Sequence, residues 1–128
     1  MSDTPWRNFW KHELQCKCCG KIHQTLEFAD FMDTMQLIRD ETGIKMPVTS
    51  GCRCEDHDRR VGSSSRAGKG PHTIAAIDVA VSGENAFRLV EAAVKFGVRG
   101  IGVSQRGGKP RFLHFDMLEE NRPRIWSY

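Results

Sequence analysis

Apolar side chains recur at helical spacing in two parts of the chain. The first part runs from Thr25 to Thr42, and its stripe consists of Phe28, Phe31, Met32, Met35 and Ile38. Gly43 follows it as a suitable C-terminal cap. The second part starts after Ser82, a favourable N-cap, and ends at Gly97. Its predicted core face is made of Ala86, Phe87, Val90, Ala93 and Val94. Both patterns predict helices that pack on a core.

Four shorter segments have the composition of strands. They are residues 45–50, 75–81, 99–103 and 111–117. Pro47 favours an edge position for the first, and the second reads as the central strand. The last two flank a glycine turn and predict an antiparallel hairpin. The third contains Gly100 and Gly102, which we expect to allow another element to come close.

These elements predict an α+β fold, with a small, mostly antiparallel sheet and helices packed on one side. The length of 128 residues fits a single domain, residues 1–128, with a substantial core. We expect residues 1–24 to be irregular, with Trp6, Phe9 and Trp10 packing on the core. The tail, residues 121–126, is also expected to be irregular, with Trp126 buried. Residues 61–70 read as a flexible, glycine- and serine-rich loop.

Charge and composition narrow the range of partners. The net charge is +3, with 39% hydrophobic and 27% charged residues, which is typical of a globular protein. Arg59 and Arg60 form the only adjacent basic pair, so nucleic acid is not an expected partner. No apolar run has the length of a membrane span, and the N-terminal residues lack a secretory pattern. We therefore expect a monomer that is made in the cytoplasm.

Polar side chains interrupt two of the predicted apolar strands. Asp78 lies in the segment after Gly70-Pro71-His72, and His114 lies between Leu113 and Phe115. A carboxylate in an apolar strand is costly unless something pairs with it, and a metal ion is one such partner. His72, Asp78 and His114 would supply two nitrogens and one oxygen, leaving a fourth position for water. This pattern is typical of a catalytic zinc site.

The chain has five cysteines, an odd number that rules out a complete set of internal disulfides, and they form two groups. They are Cys16, Cys18 and Cys19 in the first group and Cys52 and Cys54 in the second. Three interpretations stay open: buried thiols that pack as small hydrophobic groups, a second, structural zinc site with four thiolates, or disulfides. The spacings Cys-Lys-Cys-Cys and Cys-Arg-Cys give the zinc interpretation only weak support.

Several separated motifs follow one another in an order that resembles a known family. They are Ser50-Gly51-Cys52-Arg53-Cys54, Val61-Gly62, Gly70-Pro71-His72 through Asp78, Phe112-Leu113-His114-Phe115-Asp116, Arg122-Pro123 and Trp126. From residue 13 onward the chain resembles the zinc D-alanyl-D-alanine carboxypeptidase family, which includes small phage endolysins that cut peptidoglycan stem peptides. The resemblance implies a small α+β domain with the zinc on a central antiparallel sheet.

The resemblance also implies roles for particular residues. The three metal ligands fall on His72, Asp78 and His114, and a substrate-binding or charge-stabilising arginine falls on Arg53. The nearby carboxylate, Asp116, is the candidate catalytic base, although it can instead orient the site. The reserve candidates for the base are Glu55, Asp56 and His57.

Two departures from the family pattern leave an alternative function open. His72 and Asp78 are six residues apart rather than seven, with Ala75 at a position where the family has glycine. Arg111 occupies a position where some relatives carry an acidic base.

The first hypothesis is a zinc peptidase acting on peptidoglycan stem peptides, an endolysin that reaches the wall with a holin-type partner. The second is a non-catalytic, zinc-containing wall-binding module on the same scaffold. The third is a cysteine-based zinc protein that binds nucleic acid. The specificity of a peptidase would depend on loops 61–71 and 104–110.

Overall fold

The alternation of side chains along three neighbouring strands determines how this chain folds. The computed structural model describes residues 2–61 and 70–128. In that part of the chain the helices are α1 (Lys11–Leu14), α2 (Leu26–Thr42), α3 (Glu55–Arg60) and α4 (Gly83–Lys95). The strands are β1 (Val48–Ser50), β2 (Ala76–Ala80), β3 (Gly100–Ser104), β4 (Phe112–Asp116) and β5 (Arg124–Ser127). The predicted α+β class is confirmed.

The strands form one open sheet in the order β1-β2-β4-β3-β5. All neighbouring pairs are antiparallel except β3 and β5, which are parallel. The predicted edge position of β1 and the predicted hairpin of β3 and β4 are therefore confirmed. No helix in the described part of the chain is long and apolar enough to cross a membrane.

One face of the sheet carries the hydrophobic core. Ile77 of β2 lies opposite Phe115 of β4, which in turn lies opposite Ile101 of β3. These side chains are buried together with residues of α2 and α4, among them Phe28, Phe31, Met35, Leu89 and Ala93. Because side chains alternate between faces, the residues between these positions point to the other side of the sheet. That other face carries Asp78, His114 and Asp116.

The ends of α2 follow the sequence expectation. The hydroxyl of Thr25 accepts a hydrogen bond from the Phe28 amide at 3.2 Å, and Gly43 ends the helix in the left-handed region with φ 67°. The predicted stripe of α2 is fully buried. The prediction that this stripe packs on the core is thus confirmed.

The predicted face of α4 was wrong in part. Phe87 and Val94 are 68% and 64% exposed, whereas the buried residues are Ala86, Leu89, Ala92 and Ala93. The buried face is richer in alanine because small side chains allow α4 to approach α2 and β4 closely. The prediction was therefore right for Ala86 and Ala93 but missed Leu89 and Ala92.

Both chain ends contain more regular structure than the sequence predicts. The tail 121–126 was expected to be irregular, but residues 124–127 form β5 beside β3. The Arg124 amide donates to the Arg99 carbonyl at 2.9 Å. Backbone hydrogen bonds hold this strand. Because its side chains are mostly exposed, the sequence shows no alternation of buried and exposed residues that would predict it. Trp126 is only half-buried. At the other end Trp6 and Phe9 are buried, but Trp10 precedes α1 and is 42% exposed.

The glycines of β3 make room for side chains on the polar face. A Cβ at Gly102 would lie 2.7 Å from Nε1 of Trp126, and one at Gly100 would fall on the Asp116 carboxylate and lie 2.5 Å from Nε of Arg122. The expectation of a close approach at these positions is confirmed. The predicted flexible loop lies outside the described residues except at its two ends, Val61 and Gly70.

We expect Gly100→Ala to destabilise the fold. The added methyl group must displace the buried Asp116–Arg122 pair, and overpacking of this kind costs about 1–3 kcal/mol. Urea unfolding would measure the change. Gly107→Ala is the matched control, because its Cβ would meet only Nη2 of Arg111 at an ordinary 3.7 Å. Equal stability of the two variants would show that the space above Gly100 is not needed.

Candidate metal centre

Three elements bring the candidate ligands together. Asp78 lies in the middle of β2 and His114 in the middle of β4, and the two residues are directly opposite each other in the antiparallel ladder. His72 lies in a single 3₁₀ turn, Pro71–Thr73, with the proline at its first position. The six-residue spacing is therefore spanned by a turn and a short connection, not by one extended strand. This explains how His72 reaches Asp78 and His114 although its spacing from Asp78 is one residue shorter than in the family.

The ligand atoms of the three residues converge on one point. They all lie within 4.8 Å of one another. Oδ1 of Asp78 is 3.4 Å from Nε2 of His72 and 3.0 Å from Nδ1 of His114. Both histidines are buried, whereas the Asp78 side chain is 15% exposed, so the group is reached from the Asp78 side.

The ring nitrogen of His72 that points away from Asp78, here called its outer nitrogen, is hydrogen-bonded to a backbone carbonyl. Nδ1 lies 2.8 Å from the oxygen of Gly51. A carbonyl oxygen can only accept, so Nδ1 carries the proton and Nε2 presents a lone pair. Gly51 itself is tightly enclosed, since a Cβ there would lie 2.7 Å from the Leu14 carbonyl oxygen. The backbone therefore fixes both the tautomer and the orientation of this ring.

The outer nitrogen of His114 is committed to a carboxylate. Nε2 donates to Oδ2 of Asp116 at 2.7 Å. Arg122 holds that carboxylate with two parallel hydrogen bonds of 2.9 Å, from Nε and Nη2. Burial acts to raise the pKa of Asp116, but His114 and Arg122 lower it to about 2. Asp116 is therefore ionised and accepts the Nε2 proton, which leaves Nδ1 of His114 as a lone-pair donor.

Three acceptors thus face one another on a largely buried surface, an arrangement that is repulsive without a positive charge between them. The pKa shifts of Asp78 and His114 also show that this group favours an added positive charge. Burial acts to raise the pKa of Asp78, but the neighbouring His114 and His72, which donate to it once they are protonated, hold that pKa well below its usual range. Burial acts to lower the pKa of His114, but Asp116 and Asp78 raise it. Two imidazole nitrogens and one carboxylate oxygen suit zinc, and the donor set fits that ion.

Arg53 is anchored beside this group. Its amide donates to the His72 carbonyl at 2.9 Å, and its guanidinium contacts Asp58 at 3.3 Å and the Ser50 hydroxyl at 3.2 Å. Asp58 is fully buried and also accepts the Gly70 amide at 3.0 Å. Asp58 therefore ties α3 both to Arg53 and to Gly70, which directly precedes the turn that carries His72.

A comparison with protein families identifies the family of this chain. The profile of the family described as Peptidase M15 matches residues 7–116. The chain belongs to the peptidase M15 family. This confirms the resemblance seen in the sequence motifs. A search of curated proteins finds no match.

Within this M15 peptidase the candidate base, Asp116, lies behind His114. Its carboxylate contacts Nε2, on the side of the ring away from Asp78. This position favours the alternative in which Asp116 orients a ligand, because a carboxylate on the outer nitrogen of a metal-binding histidine fixes its ring and raises its basicity. Its role as catalytic base stays a prediction.

The reserve candidates lie on α3. Glu55 is exposed, Asp56 pairs with Arg59 on the surface, and Nδ1 of His57 is 3.7 Å from Sγ of Cys16. The described contacts of Asp56 and His57 are therefore made away from the ligand group. Their proposed catalytic roles stay predictions.

Two aromatic residues near the C-terminus, Trp126 in β5 and Tyr128 just after it, complete the surroundings of this M15 site. The ring of Trp126 packs 5.1 Å from that of His114, and Arg122 lies 5.0 Å over the Trp126 ring. Tyr128 packs against Phe112 with ring centroids 5.0 Å apart. Sequence reasoning included Arg122 and Trp126 in a motif but gave neither a role, and nothing in the spacing indicated that Arg122 grips Asp116.

We expect Asp116→Asn to weaken zinc binding. The substitution removes the charge that holds the His114 proton and pairs with Arg122, and loss of such a partner lowers metal affinity about 10–100-fold. Competition with a chromophoric chelator would measure the affinity. The exposed Glu119→Gln is the matched control. Unchanged zinc affinity with lost turnover would instead identify Asp116 as the catalytic base.

Proposed function

We propose that this M15 peptidase uses zinc to hydrolyse peptide bonds in peptidoglycan stem peptides. The family supplies the peptidase activity. The observation that carries the zinc dependence is the convergence of Nε2 of His72, a carboxylate oxygen of Asp78 and Nδ1 of His114, with both outer histidine nitrogens already hydrogen-bonded. Three protein ligands are typical of catalytic zinc, since the remaining position serves water or substrate.

The residues divide the work between holding the metal and meeting the substrate. When bound, zinc activates water for attack and polarises the carbonyl group of the scissile bond. His72, Asp78 and His114 hold the metal, and Asp116 keeps the proton of His114 on Nε2. Trp126 covers one side of the His114 ring and limits its contact with water.

Arg53 is the residue best suited to meet negative charge on the substrate. Guanidinium has five N–H donors in a rigid fork, and the contacts to Asp58 and Ser50 hold its orientation. Such a group stabilises a developing oxyanion or binds a stem-peptide carboxylate with two hydrogen bonds. Because its own amide bonds the His72 carbonyl, Arg53 is positioned directly relative to a metal ligand.

The proposal extends to a biological setting. The motif resemblance to small phage endolysins supports a role in cell-wall degradation, as a monomer that is released to the wall by a holin-type partner. The bond cut would be D-Ala-D-Ala, L-Ala-D-Glu or a cross-bridge, since all three use the same metal chemistry. The loops 61–71 and 104–110 would set this preference by their shape.

Cleavage of purified peptidoglycan should be lost when zinc is removed by a chelator and should return when zinc is added back. His114→Ala should not recover, because it lacks a ligand, whereas the exposed His12→Ala should behave like the unmodified protein. Mass spectrometry of fragments from defined muropeptides would detect the cleavage and identify the bond. Stoichiometric zinc binding at His114 without any released fragment would support the non-catalytic wall-binding module instead.

Arg53→Lys should reduce kcat/KM by about 10–1,000-fold while leaving zinc content unchanged. Lysine keeps the charge but loses the planar, two-pronged contact. Steady-state kinetics on a defined muropeptide would measure it, and the change would fall on KM if Arg53 binds a ground-state carboxylate. Arg59→Lys, a surface arginine on α3, is the control. Equal kinetics for the two variants would remove Arg53 from the substrate site.

A further inference from the structure

A second group of metal-binding side chains lies where the N-terminal segment meets α3. The Sγ atoms of Cys16, Cys19 and Cys54 all lie within 4.8 Å of one another. His57, one turn into α3, brings its Nδ1 to 3.7 Å from Sγ of Cys16. In the sequence these residues form a Cys-x-x-Cys pair and a Cys-x-x-His pair, both of which are spacings that suit zinc. None of them is among the ligands His72, Asp78 and His114 of the candidate catalytic centre.

The backbone of the first pair is folded into a tight turn. The Gly20 amide donates to the Cys16 carbonyl at 2.7 Å, and the Cys16 amide donates to the Lys21 carbonyl at 2.8 Å. Gly20 has φ +74°, a conformation that other residues rarely adopt, and it brings Cys19 back toward Cys16. The thiol pair is therefore preorganised by the backbone.

The second pair is fixed by the start of α3. Cys54 is the N-cap residue, and its sulfur accepts the His57 amide at 3.4 Å. The Cys54 amide in turn donates to Sγ of Cys16 at 3.3 Å. Backbone donors thus point at two of the sulfurs, which stabilises them as thiolates. Thiolates are the form in which cysteine binds metals.

We propose that Cys16, Cys19, Cys54 and His57 form a second, structural zinc site. Four ligands of the Cys₃His type close a tetrahedral site with no position left for water. With zinc–sulfur distances of about 2.3 Å, neighbouring ligand atoms of a tetrahedron lie about 3.8 Å apart. The 3.7 Å between Cys16 and His57 matches this edge. The three sulfurs, all within 4.8 Å of one another, need only small closure, whereas the His57 ring must also move toward the other two sulfurs.

The thiol of Cys16 ionises readily, whereas the thiol of Cys54 needs a nearby cation to do so. Burial acts to raise the pKa of Cys16, but hydrogen bonds from backbone amides and His57 lower it to about 5. The His57 amide acts to lower the pKa of Cys54, but desolvation and the neighbouring thiols Cys16 and Cys18 raise it. A divalent cation would relieve this crowding of negative sulfurs.

The other two cysteines have different surroundings. Cys52 is buried and accepts the His23 amide at 3.4 Å, and burial raises its pKa to about 11, so it packs as a neutral thiol. Cys18 is exposed, accepts a hydrogen bond from Arg60 at 2.6 Å and also neighbours the Cys54 thiol. Because Arg60 already occupies the Cys18 sulfur, our proposal takes His57 as the fourth ligand instead of a fourth thiolate.

A zinc ion at this position would connect the N-terminal segment to the segment that carries the catalytic side chains. Arg53 directly precedes Cys54, and Asp58 directly follows His57. Arg53 and Asp58 contact each other, and Asp58 also holds the Gly70 amide next to the turn of His72. The second metal would thus fix the position of Arg53 without touching substrate.

Metal content of the full chain, purified with zinc present, tests the site independently of cleavage. We expect about two zinc ions in the unmodified protein and about one in His114→Ala, because only the first site is lost. Adding Cys54→Ser to His114→Ala should remove the remaining zinc, and adding His57→Gln should remove or greatly weaken it. Adding Cys18→Ser, the matched control, should keep it.

Cobalt substitution of the unmodified protein provides a readout that does not depend on whether a variant folds. Thiolate ligation gives intense sulfur-to-cobalt charge-transfer absorption, which a His/Asp/His site does not produce. Absence of this absorption, or a single zinc ion in the unmodified protein, would overturn the proposal. The proposal would also be overturned if mass spectrometry without reductant gave a mass two hydrogens below that of the fully reduced chain, because this difference indicates a disulfide. Loss of the second zinc in Cys18→Ser but not in His57→Gln would overturn the assignment of the fourth ligand.

Discussion

The structure of the candidate catalytic site depends on the need of three hydrogen-bond acceptors to share one positive charge. Each histidine has already given its outer N–H to a fixed acceptor, the Gly51 carbonyl for His72 and the Asp116 carboxylate for His114. The inner nitrogens therefore meet the Asp78 carboxylate with lone pairs only. A cation resolves this repulsion, and the two outer hydrogen bonds make the site selective for a metal that accepts neutral imidazole.

The sheet holds these polar groups on one face without placing them in the hydrophobic core on the other face. In the β2–β4 ladder every second pair faces the helices and is apolar, and the pairs between them carry the polar groups. Asp78 and His114 are direct partners in that ladder, so their separation is set by strand spacing. Gly100 and Gly102 leave the room above β3 that Asp116, Arg122 and Trp126 occupy. The polar face is thus built as tightly as the apolar one.

Much of this could be predicted from the sequence because the relevant signals are local. Periodicity located α2, the polar residues inset in apolar strands located Asp78 and His114, and motif order indicated the family. The course of residues 124–127 was not predictable, because backbone pairing with β3 leaves no hydrophobic pattern. The grip of Arg122 on Asp116 and the meeting of His57 with Cys16 depend on contacts between distant segments, which spacing alone does not encode.

The most direct test of the central claim is a crystal structure of the zinc-loaded protein with anomalous diffraction recorded at the zinc edge. The account predicts an anomalous peak bonded to Nε2 of His72, Asp78 and Nδ1 of His114, with Asp116 still on Nε2 of His114. No peak between these three side chains, or a metal bonded to Nε2 of His114 instead, would contradict it.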